Sequence, residues 1–105
     1  MKRLIQLDGR EYALRYTVNA VCCLEEKMGL GLEGLMRTQL SCLRGLLWCG
    51  LMESQPGITL ERAGDMLQAH LEMGGSLRAV ADTLAAALED AGFFQEPGTG
   101  TAAER

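Results

Sequence analysis

Basic residues are scarce in this chain: 10 Lys and Arg stand against 14 Asp and Glu, the net charge is −4, and no stretch gathers the cations into a patch. A surface that neutralises phosphates needs clustered Lys and Arg, so nucleic acid is not an expected partner. Histidine occurs once, at His70, and none of the four cysteines (Cys22, Cys23, Cys42, Cys49) forms a C-x-x-C pair. Zinc spacing is therefore missing and no metal or other cofactor is expected. Cys42 and Cys49 lie seven residues apart, about two turns along one helix face, too far to bridge. All four thiols read as reduced, buried, small hydrophobes. No apolar run approaches the ~20 residues of a bilayer span, and the opening MKRLIQLDG has neither an h-region nor a cleavage site. These absences predict a soluble, cytoplasmic protein with no membrane contact.

What the chain has instead is leucine. Its 105 residues include 18 Leu and 6 Met, against an aromatic content of 5%. That length fits one domain, able to hide roughly 60–70% of the surface its unfolded form exposes. Leu and Met favour helices and adaptable packing. The extreme case is Leu40 to Met52, LSCLRGLLWCGLM, whose only charge is Arg44. A helix apolar around most of its circumference must be covered on several sides, by its own domain or by another chain.

Local signals predict the rest of the fold. RLIQL (3–7) and REYALRY (10–16) flank Asp8-Gly9, a two-residue turn pair that tolerates positive φ, so the chain opens with a β-hairpin. Tyr12, Leu14 and Tyr16 share one face of its second strand and Glu11, Ala13 and Arg15 the other. Thr17 caps a helix to residue 28 with Val18, Val21, Leu24 and Met28 inward, and Gly29 ends it. Leu32 to Met36 forms one short turn. Thr38 caps the apolar helix, about 39–53, striped by Leu40, Leu43, Leu47 and Leu51. Gln55-Pro56-Gly57 is a turn. Ile58 and Thr59 start a helix over 60–72 with Leu60, Ala63, Leu67 and Leu71 inward, and Gly74-Gly75 breaks it. Ser76 caps the last helix, 77–91, through Leu77, Val80, Ala81, Leu84, Leu88 and Ala91. The stretch 95–105, QEPGTGTAAER, has no large apolar residue and is expected to be a disordered tail after a single domain of residues 1–94. The fold class is α+β, mainly α: a hairpin packed on a small bundle of four to five helices.

No grouping of side chains suggests catalysis. His70 falls beside inward leucines without a partnered Ser or Cys. Glu25, Glu26, Asp82, Glu89 and Asp90 sit on solvated helix faces. The glycines of GLGLEG (29–34) follow a helix and contain no base, unlike a phosphate loop. The helix pair around Met73-Gly74-Gly75 has the outline of a helix-turn-helix, but its second helix offers Arg78 alone against Asp82, Glu89 and Asp90. No enzymatic role is expected. What remains is apolar surface, which either fills one core or leaves part of itself for a partner.

The succession DGREYALRY, NAVCCLEEKMG, LSCLRGLLWCGL, GITLERAGDML and GSLRAVADTLAAAL resembles the small tail assembly proteins of long-tailed bacteriophages. It is most similar to the tail assembly chaperones and the related gene-transfer-agent tail proteins, over about residues 3–94. The family's L-x-G-x-x-Y-x-L opening and its helix ending in L-E-x-x-x-G are matched by Leu7, Gly9, Tyr12, Leu14, Leu24, Glu25 and Gly29. The cysteines and Trp48 lie outside that pattern. The resemblance implies a hairpin followed by helices and a non-enzymatic protein of the bacterial host cytoplasm. It further implies coating of the tape-measure protein before tail tube subunits polymerise around it, and a flexible tail often extended in a longer product by ribosomal frameshifting; the tail tube protein and a second copy of the chain are the further candidate partners. On that basis Leu43, Leu47, Trp48 and Leu51 are the expected partner-binding face, and Trp48→Asp is expected to abolish binding while sparing helix content. The alternatives are a tube or connector subunit of the tail and an acidic helical regulatory adaptor.

Overall fold

The Asp8-Gly9 turn carries φ values of 52° and 74° in the computed structural model, which describes residues 3–35 and 39–93. Two successive positive φ angles give a turn whose twist matches antiparallel strands. It joins β1 (Arg3–Leu7) to β2 (Arg10–Leu14), with Ile5 opposite Tyr12 and Leu7 opposite Arg10. Ile5, Leu7 and Leu14 point inward, and Tyr16 continues that face beyond the strand.

Five helices follow among the described residues: α1 (Val18–Met28), α2 (Leu32–Leu35), α3 (Leu40–Leu51), α4 (Leu60–Glu72) and α5 (Leu77–Asp90). The architecture is α+β, mainly α, as the patterning predicts. Thr17, Thr59 and Ser76 each accept a hydrogen bond from the third residue of their helices, Ala20, Arg62 and Ala79, satisfying amides that would otherwise lack partners. Gly29 closes α1 at φ 71°, its N–H donating to Glu25 O at 2.8 Å. At α3 the N-cap position falls to Gln39, whose side chain makes no capping bond. Thr38 and Met36 lie outside the described residues, as does the expected tail 95–105.

α3 is the axle of the fold, touching β2 and every other helix. Its glycines let neighbours approach closely. At Gly50 an added Cβ would stand 2.8 Å from Tyr16 Cζ and 2.9 Å from Leu14 Cδ2; at Gly45 it would stand 3.0 Å from Leu24 Cδ1 of α1. The hairpin is latched there: Tyr16 Oη donates to Leu46 O at 2.6 Å, Arg15 N–H to Gly50 O at 2.9 Å, and Ser54 Oγ to Ala13 O at 2.7 Å. One continuous core results, from Ile5 of β1 to Leu88 of α5, and no polar or charged residue is buried in it among the described residues.

Candidate functional site: the α3–α4 groove

The expected binding face is not on the surface. Leu47 and Leu51 are fully buried, Trp48 is 7% exposed, and Leu43 is half-buried against the core. Trp48 donates its indole N–H to Ile58 O at 2.9 Å, and Lys27 Nζ lies 5.7 Å from its ring centroid, within cation–π range. This corrects the assignment of Leu43, Leu47, Trp48 and Leu51 as a partner surface. The physical reason is coverage: the hairpin and four helices surround α3, so its all-round apolarity is satisfied within the domain. Trp48→Asp accordingly tests folding, not binding.

The apolar residues left outside are others. Leu40 at 60% and Leu71 at 42% exposure were both expected among the packing side chains, and Met73 is 64% exposed at the end of α4. Val18, at the first turn of α1, is also exposed. Leu40 opens α3 and Leu71 closes α4. Together they rim a groove of about 320 Å³ between the two antiparallel helices, whose other lining residues are Ser41, Arg44, Gly64, Leu67 and Gln68. Leu67 is buried and forms the floor. Arg44 lays its stem across Gly64, where a Cβ would come within 3.2 Å of its Cδ. Its Nε is buried without a hydrogen-bond partner. Sequence reasoning passed over this groove; a lone arginine in an otherwise apolar helix was the one signal that marks it.

The thiols divide in two. Cys42 and Cys49 are buried as expected, but Cys22 and Cys23 are exposed on α1, since the helix turns that face away from α3. Burial, with a smaller contribution from Cys23, pushes the Cys49 thiol up to about 12, which keeps it protonated and unreactive. Tyr16 is raised well above its ordinary value by the same enclosure, with Cys49 adding to it.

His70 sits with Asp8, Gly9, Gln6, Met73 and Gly75 around a second cleft of about 190 Å³. Its Nε2 is enclosed without a partner, against the backbone of Gly75. No Ser, Thr or Cys lines this cleft, so His70 has no hydroxyl or thiol beside it there to activate. Among the described residues no three or more His, Cys, Asp or Glu converge as a metal site, and no helix is long and apolar enough to cross a membrane.

No protein-family model, curated protein or solved structure matches the chain. The groove's own chemistry therefore carries the functional argument. Leu40, Leu67 and Leu71 give it an apolar side, Ser41 and Gln68 add polar groups, and its one charged residue, Arg44, has a buried Nε without an acceptor, a combination that suits recognition of a protein segment.

Proposed function

We propose that this chain is a non-catalytic tail assembly chaperone of the long-tailed-phage type, working in the bacterial host cytoplasm on the apolar helices of a tape-measure protein. The observation that carries the reading is where its family-like residues fall. Leu7, Leu14 and Leu24 are all core, Gly9 forms the hairpin turn, and Gly29 caps α1. The pattern behind the resemblance is thus the one that builds a hairpin on an α1–α3 pair.

In this reading the α3–α4 groove receives the tape-measure helix, not the buried Trp48 face. Leu40 and Leu71 shelter part of its apolar stripe, and the small contact keeps affinity modest, so that tube subunits can displace the chaperone later. The test is co-expression with the product of the long, helix-rich reading frame expected downstream of its gene. That product is expected to be insoluble alone and recovered in a complex with this chain. The pair Leu40→Asp and Leu71→Asp should lose the complex while keeping the helical circular dichroism of the native protein. Equal recovery with that variant, or stable residence of the protein in purified phage particles as a tube or connector subunit, would sink the proposal.

A further inference from the structure

A cation enclosed among apolar groups is costly unless an acceptor meets it. Arg44 meets that condition in part: the residue is half-buried, its stem is packed on Gly64, its Nε is buried and unpartnered, and it belongs to none of the ion pairs among the described residues. Around it lie the floor provided by Leu67 and the open rims of Leu40 and Leu71. Two antiparallel helices with such a furrow between them accept a third helix whose side chains repeat at i, i+3, i+4 and i+7. The lining runs from Leu40 to Arg44 on α3 and from Gly64 to Leu71 on α4, so the furrow extends for about 10 Å, or some two turns of an occupant.

We propose that the α3–α4 groove binds an amphipathic helix of a partner protein that carries one carboxylate within its apolar stripe, and that this carboxylate accepts hydrogen bonds from the Arg44 guanidinium. The proposal rests on the reading of this surface as a protein-interaction site and adds the chemistry of the partner. A charge-assisted pair shielded by leucines on both sides is stronger than its solvent-exposed equivalent and fixes the register of the bound helix. Glu61, Asp65 and Glu72 are exposed along the outer flank of α4. They repel a helix that is acidic along that edge, so the occupant is neutral or basic there and acidic only within its stripe. A second copy of this chain fits poorly, because a twofold groove-to-groove contact sets Arg44 against its own symmetry mate.

The test uses the full chain and two fluorescent peptides of about 20 residues, the length an isolated helix needs to be appreciably populated. Both carry the same leucine stripe and differ only in a central Glu or Gln. Anisotropy titrations at low salt should give the Glu peptide about tenfold tighter binding to the native protein. In Arg44→Met, which keeps the stem and loses the charge, the preference should fall below about twofold. Leu71→Asp, with its fold verified by thermal melting, should lose both peptides. The proposal is overturned by equal binding of the two peptides to the native protein, by a Glu preference that survives Arg44→Met, or by binding of neither peptide. It is overturned equally by a concentration-dependent dimer that Leu71→Asp abolishes, which makes a second copy the occupant. Peptide discrimination without recovery of the long tape-measure-like protein leaves the groove chemistry standing and removes the chaperone identity; recovery without discrimination does the reverse.

Discussion

Cys49 illustrates how much a single side chain's meaning depends on where it lands. Its thiol is fully enclosed, and burial raises it to about 12, against an unfolded value near 8.5. A group whose proton is held more tightly in the folded state contributes stability that is present below its unfolded value and lost as the pH rises toward its folded one. Stability should therefore decline between about pH 8.5 and 12, by on the order of 1–2 kcal/mol at pH 10. Tyr16, raised by the same burial, acts in the same direction above its own ordinary value. Urea denaturation at pH 7.5 and 10 checks this, and the pH difference should shrink in Cys49→Ala. Thiol labelling gives an independent readout: Cys22 and Cys23 should react in the native protein, Cys42 and Cys49 only after unfolding. A spacing argument placed Cys42 and Cys49 together on one face of α3, and both are buried there. It had no means of distinguishing the outward face of α1 from its inward one, because Val18, Cys22 and Cys23 are themselves apolar.

Between elements, the decisive join is the hairpin against α3. Gly50 admits the Tyr16 ring and Leu14 at contact distances that no Cβ tolerates, and Tyr16 cannot swing aside without giving up its bond to Leu46 O. Gly50→Ala, though favourable to an isolated helix, should destabilise the domain by about 1–3 kcal/mol through overpacking. Thermal melts of the variant measure the cost; an unchanged or raised midpoint would show that the hairpin can shift without penalty. The elements themselves were open to sequence reading. Asp8-Gly9 marks its turn by positive φ, and Thr17, Thr59 and Ser76 mark helix starts because a hydroxyl three residues before an amide caps it locally. These are short-range interactions, complete within four or five residues. The start of α3 was less legible, since Gln39 occupies the cap position without a side-chain bond.

Across the whole molecule, the first strand is tied to the last helix by Arg3 Nε and Asp90 Oδ2, 2.7 Å apart and 87 residues apart in sequence. The hydrogen bond from Arg3 holds the Asp90 carboxyl below its ordinary range, with the guanidinium charge adding to it. A carboxylate depressed in this way contributes stability that is present above about pH 3.9 and disappears as the pH falls through its lower folded value. NMR titration of Asp90 should place its midpoint below the ordinary carboxylate value, and Arg3→Gln should return it there. Both groups are partly solvated, so added salt should weaken the shift. Asp90 looked like one more solubilising charge in sequence; only the return of α5 to β1 gives it a partner.

The same division holds for the candidate site. Periodicity, capping and turn chemistry established, without coordinates, a hairpin, the principal helices and a central apolar span, because each depends on neighbours a few residues away. Which parts of that span were spare could not be read this way, since Leu40 and Leu51 belong to one stripe and look equivalent along the chain. Packing separated them: Leu51 lies in the core beneath the hairpin and neighbouring helices, whereas Leu40 is exposed at the groove rim with Leu71. Exposure is a property of long-range assembly. Arg44 takes its place in the groove through the approach of Gly64 and Leu67 from another helix, a meeting that no local pattern encodes.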